Sequence, residues 1–177
     1  LLHVVGGGTS VQIKTNRVFR DVSAWYHIVI AYDSTQGTQS NRVKMYINGT
    51  EETSFETSTY GSSGNIISLN ENGKAVAVGQ DDNSDKYFGG YITEFCFIDG
   101  LYLDATSFGE FDEDSPTIWK PKDVSGLTFG NRGFYLDFED SSALGNDAAG
   151  SYNFTANNLA ATDQSTDTCT NNFLTWN

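Results

Sequence analysis

The sequence predicts an all-β chain, a two-sheet antiparallel β-sandwich, and three observations carry that reading. Apolar residues alternate with period two almost throughout, and long helical periodicity is missing. Short β-prone runs recur between turn residues, the pattern of sandwiches and barrels. Twelve Phe, nine Tyr and three Trp in 177 residues supply ample bulk for a packed interior.

Residues 10–14 form the first expected strand. Residues 25–32 follow, with Trp25, His27, Val29 and Ala31 on one face and Tyr26, Ile28, Ile30 and Tyr32 on the other. Both faces are largely apolar, which predicts a central strand. Val43–Ile47 then alternates cleanly, with Val43, Met45 and Ile47 inward and Lys44 and Asn48 outward. Asn48-Gly49 joins it to a strand over 50–55, because both residues of such a tight turn need positive φ. Further strands are expected at 65–69, 75–79, 91–98, 134–138 and 152–156, with turns at Asn72-Gly73 and Asp99-Gly100. One helical turn is expected over 104–108, with Asp104 as its cap. The expected interior comprises Ile28, Ile30, Val43, Met45, Ile47, Val76, Val78, Phe95 and Phe97. Residues 139–151 read as a loop. Residues 160–177, rich in Thr, Asp and Asn where they begin, read as an extended tail or linker behind a sandwich spanning 1–159.

Charge narrows the partners. The formal net charge is −13, and it is uneven: residues 1–90 carry seven basic and nine acidic side chains, residues 91–177 three and fourteen. Such a surface repels nucleic acid and anionic lipid, while divalent cations and neutral glycans remain open. No apolar run approaches the roughly 20 residues of a membrane span. Two cysteines, Cys96 and Cys169, do not make a disulfide scaffold, and spacing leaves their pairing open. The chain opens on Leu1-Leu2-His3, without methionine, so it is expected to begin within a longer protein.

Four motifs in order carry a resemblance. Residues Trp25-Tyr26-His27-Ile28-Val29, then Val43-Lys44-Met45-Tyr46-Ile47-Asn48-Gly49, then Val78-Gly79-Gln80, and finally Phe88-Gly89-Gly90-Tyr91-Ile92-Thr93-Glu94-Phe95 are similar to the concanavalin A-like/laminin G-like pattern, which pentraxins share. The resemblance implies a lectin-type jelly-roll sandwich. A narrower likeness, through Phe108-Gly109-Glu110-Phe111, Ile118-Trp119-Lys120-Pro121 and Phe134-Tyr135-Leu136-Asp137-Phe138, is to lectin-like structural proteins of marine bacteriophages. It implies a non-enzymatic adhesion module of a fibre or capsid surface, located on the virion. Its implied partners are cell-surface carbohydrate and other virion proteins, in a homo-oligomer for which a trimer is one arrangement. It also implies that the sandwich's first strands precede Leu1. A secreted, calcium-dependent pentraxin-like lectin and a purely architectural decoration domain are the alternatives.

The candidate chemistry sits on loops. Asp81, Asp82, Asn83 and Asp85 offer oxygen ligands suited to calcium, though Lys86 and Ile92 break the EF-hand pattern. By the pentraxin likeness, Asp81, Asp82 and Asn83 would be the ligands; a solvated acidic turn is the plain alternative. For sugar binding, Tyr60, Tyr87, Tyr102 and Trp119 lie in or beside expected loops, and Tyr87 with Asp85 is preferred because it adjoins the acidic run. Each aromatic also has an alternative role at the edge of the core. Glu110-Phe111-Asp112-Glu113-Asp114 approaches a glucanase carboxylate pattern. It fails where Glu113 replaces an apolar residue, and it follows a helical turn rather than a strand. His27 reads as a packed core histidine, and no zinc or nucleophile arrangement can be assembled from His3 and His27.

Overall fold

The computed structural model describes residues 2–6, 9–66, 73, 75–80 and 86–165, and among them there is no α-helix. The chain divides into two compact units, Leu1–Gly90 and Tyr91–Asn177.

The first unit holds two three-stranded antiparallel sheets. One places β2 (Thr9–Thr15) between β1 (Leu2–Gly6) and β6 (Phe55–Tyr60); the other places β4 (Val43–Ile47) between β3 (Ile28–Tyr32) and β5 (Thr50–Glu51). The two layers meet through alternate side chains. Val11 and Ile13 of β2 and Val43, Met45 and Ile47 of β4 form one buried cluster, with Tyr26, Tyr32, Phe55 and Tyr60 packed against it. This is the oily interior of a sandwich. A bulge helps to fill it: Lys14 opposes Thr57 while Thr15 opposes Phe55, so Glu56 is an extra residue that brings Phe55 into phase with the core.

The Asn48-Gly49 hairpin forms as expected, with φ of 48° and 76°. Asn48 also anchors the entry to β3: its Oδ1 accepts from the His27 backbone N–H at 2.8 Å, and its own N–H donates to the His27 carbonyl at 2.8 Å. His27 is half-buried, and burial holds its imidazole below the usual range. The strand that follows differs from expectation. Among the described residues β3 pairs only with β4, so it is an edge strand. Ile28 and Ile30 stand opposite Ile47 and Met45, yet they are 50% and 43% exposed. Val29 and Ala31 are buried instead.

The second unit contains two ribbons. β7 (Phe95–Phe97) pairs with β10 (Phe134–Leu136), and β8 (Gly109–Phe111) pairs with β9 (Trp119–Pro121). Phe134 is fully buried, stacks on Phe95 and Phe97, and meets the Phe154 ring with centroids 4.7 Å apart. The 3-10 turn at Ala105–Ser107 is capped as expected, the Asp104 carboxylate accepting from the Thr106 N–H at 3.0 Å. The strands expected over 91–98 and 134–138 are both shorter. Glu94 (φ 53°) and Phe138 (φ 59°) adopt left-handed backbone conformations at the same end of the ribbon, and the ladder stops there. Residues 152–156 and the described part of 75–79 form no ladder strand, and Val76 and Val78 are half-buried. Most of the strand expected at 65–69 lies outside the described residues; Asn65 and Ile66 are not in a ladder.

Candidate functional site

Tyr87 sits where an acidic loop closes. Gln80 and Tyr87 form an isolated antiparallel bridge, and the Phe88 N–H donates to the Gly79 carbonyl at 2.8 Å. These contacts bring residues 79–80 and 87–88 together. Asp81, Asp82, Asn83 and Asp85 lie outside the described residues, so the calcium and Asp85 expectations receive no geometry. Tyr87 is 69% exposed, and Phe88 beside it is also exposed. Both residues are accessible next to the acidic run.

Two other aromatic candidates lie at strand ends. Tyr60 is the last residue of β6 and packs, partly buried, against the sandwich core. Trp119 is the first residue of β9. Its indole meets the Phe111 ring edge-on at 5.0 Å and lies against Gly109, where a side chain would collide with it. Tyr102 stays exposed in a loop.

The carboxylate run 110–114 is placed on the β8–β9 hairpin. Glu110 and Phe111 do belong to a strand, contrary to expectation, and lysines reach the carboxylates. Lys120 Nζ lies 3.3 Å from Asp112 and 3.6 Å from Glu110, and Lys122 Nζ lies 3.6 Å from Glu110. Asp112 Oδ1 accepts from the Ser115 and Asp114 N–H groups at 2.9 and 3.0 Å. The Ser115 bond and then Lys120 hold its carboxyl below the usual range, the wrong direction for a general acid.

A polar face that sequence reasoning missed lies on the β7–β10 ribbon. Tyr135 opposes Cys96, and its hydroxyl donates to the Glu94 carboxylate. Burial, together with the charges of Asp137, Glu139 and Asp123, raises Glu94 above the ordinary range against the opposing Tyr135 bond. Cys96 is a free thiol pushed up to about 12, first by burial and then by Glu94, which leaves it a poor nucleophile. Cys169 lies outside the described residues. The signal for this face was the alternation Glu94, Cys96 against Tyr135, Asp137, legible only once the pairing register is known. Among the described residues no group of three or more His, Cys, Asp or Glu side chains could hold a metal ion.

The family model described as the concanavalin A-like lectin/glucanases superfamily matches residues 2–105. The chain belongs to this superfamily. The match spans the whole described sandwich of the first unit and extends as far as Ala105. It accords with the order of motifs from Trp25 to Phe95 and makes the chain an all-β, lectin-like protein of laminin G-like type. Neither a curated protein nor a solved structure matches the chain. No helix among the described residues is long and apolar enough to cross a membrane.

Proposed function

We propose that this superfamily member is a non-catalytic adhesion module that binds neutral cell-surface glycans at the Tyr87 end of the Gln80–Tyr87 bridge, as part of a bacteriophage virion. The exposure of the Tyr87 ring beside the acidic run is the observation that carries the reading. A ring presented beside a polar loop offers the apolar face on which a sugar's C–H groups settle, with polar neighbours for its hydroxyls. The absence of catalysis is supported by the lysine pairing of Glu110 and Asp112. The virion role rests on the resemblance of residues 99–138 to phage lectin-like proteins. Weak single-site contacts suit a multivalent particle, where avidity multiplies them.

Calcium belongs to the same proposal, with Asp81, Asp82 and Asn83 as its oxygen ligands. A glycan array probed with the full chain, in calcium and again in a chelator, tests both parts. Binding that Tyr87→Ala reduces at least about tenfold, with the thermal midpoint unchanged, supports the site. No bound glycan in either buffer favours an architectural domain. Binding unaffected by chelation removes calcium and keeps the sugar.

A further inference from the structure

Beyond the residues matched to the superfamily, the second unit carries an open groove of about 470 Å³. Its lining includes Ser141, Asn146, Asn153, Phe154, Leu159 and Ala160, and every lining residue is uncharged. That neutrality stands out in a half of the chain with fourteen acidic and three basic side chains.

The walls are held by backbone and not by chance packing. The Phe154 N–H donates to the Gly145 carbonyl at 2.7 Å, and Asn146 N–H to the Ala143 carbonyl at 2.8 Å. Beneath them the buried Asp147 carboxylate accepts from the Tyr135, Ala149 and Tyr152 N–H groups at 2.9–3.0 Å, while the Asp147 N–H donates to Asn153 Oδ1 at 3.0 Å. Asp147 is therefore spent on structure and is not part of the lining. The Asp140 carboxylate, outside the lining, accepts from the Ser142 hydroxyl and N–H. The Asn153 amide nitrogen, the Asn146 amide and the Ser141 hydroxyl remain for a ligand. Beside them stand the Phe154 ring and Leu159, which is 54% exposed.

We propose that this groove is a second subsite, for a neutral saccharide. A pre-formed concavity with a small apolar surface and convergent amide and hydroxyl groups matches the two faces of a sugar ring. An anionic sugar would meet the acidic surroundings, including Asp140 and Asp163, whose carboxylates accept from the lining residues Ser142 and Ala160. The inference deepens the carbohydrate-binding reading but uses a different site, so the two can fail separately.

The test is an amide NMR titration of the full chain with glucose, galactose, mannose and N-acetylglucosamine, with glucuronate as the charged comparison. The expected result is saturable shifts at residues 141–146 and 156–161 with at least one neutral sugar and not with glucuronate. Ala160→Trp, which fills the groove, should abolish them. Asn146→Ala, an exposed position that leaves the fold intact, should weaken binding about five- to tenfold. Shifts that survive in Tyr87→Ala support an independent subsite. Shifts at Tyr87 and Phe88 alone overturn the groove and spare the Tyr87 site. Silence in both regions overturns both, and equal response to glucuronate overturns the neutral-ligand argument.

Discussion

Asp147 shows how one side chain can set a whole loop. Its carboxylate takes three backbone donors from two segments, β10 and residues 149–152, in a place water does not reach. Asp147→Ala would leave those donors without their acceptor, and is expected to destabilise the protein by about 2 kcal/mol in urea unfolding. Gly145 is a comparable case, for any β-carbon there would run into the Phe154 carbonyl. Gly145→Ala is expected to cost about 2–3 kcal/mol and to close the groove, read as a lowered melting temperature. Neither role was visible in the sequence, where 139–151 read as a polar loop. A carboxylate's worth depends on which amides converge on it, and those come from distant positions. Tyr60 and Trp119 taught the same lesson, since an aromatic at a loop boundary is indistinguishable on paper from one folded over its own sheet.

Elements whose determinants are local were the most legible. The Asn48-Gly49 hairpin, the register of Val43–Ile47 and the Asp104 cap each arise within a few residues, and each forms as expected. Gly49→Ala forces a β-carbon into φ 76° and is expected to cost about 1 kcal/mol, checked by the denaturation midpoint. Replacing Ile13, fully buried at the centre of the layers, by Ala should cost about 3–4 kcal/mol. The long strand expected over 91–98 was over-read because alternation does not reveal a left-handed residue. Glu94 breaks the run where its side chain meets Tyr135. The β8–β9 hairpin was missed for the opposite reason, as three-residue strands bearing Glu, Lys and Pro look like loop.

At the scale of the whole molecule, charge governs pH response. Asp33, Asp112, Asp123 and Asp140 are held below the ordinary carboxylate value of 3.8, chiefly by hydrogen bonds from neighbouring residues. Their contribution is complete above that value and lost as pH falls through their folded pKa values. Glu94 acts oppositely. Its carboxyl is raised above 4.5, so the fold favours its protonated form, and that stabilisation declines as pH rises through its folded value. His27, lowered by burial, works the other way near pH 6.5, but it is one group against the self-repulsion of a net charge of −13, so maximum stability is expected below neutrality. Thermal midpoints across pH 3–8 test this, and a midpoint higher at pH 7.5 than at 5 would contradict it. Glu94→Gln should lessen the decline on the neutral side.

By itself, the order of residues determined the all-β class, the principal hairpin and the inward set Val43, Met45 and Ile47, because alternation and turn chemistry act over a few bonds. Tertiary structure alone decided that Ile28 and Ile30 are left exposed, that β2 supplies the opposing half of the core, and that Lys120 and Lys122 reach the carboxylates of Glu110 and Asp112. Those outcomes depend on which strand lies beside which, and pairing across tens of residues leaves no local trace in composition or period.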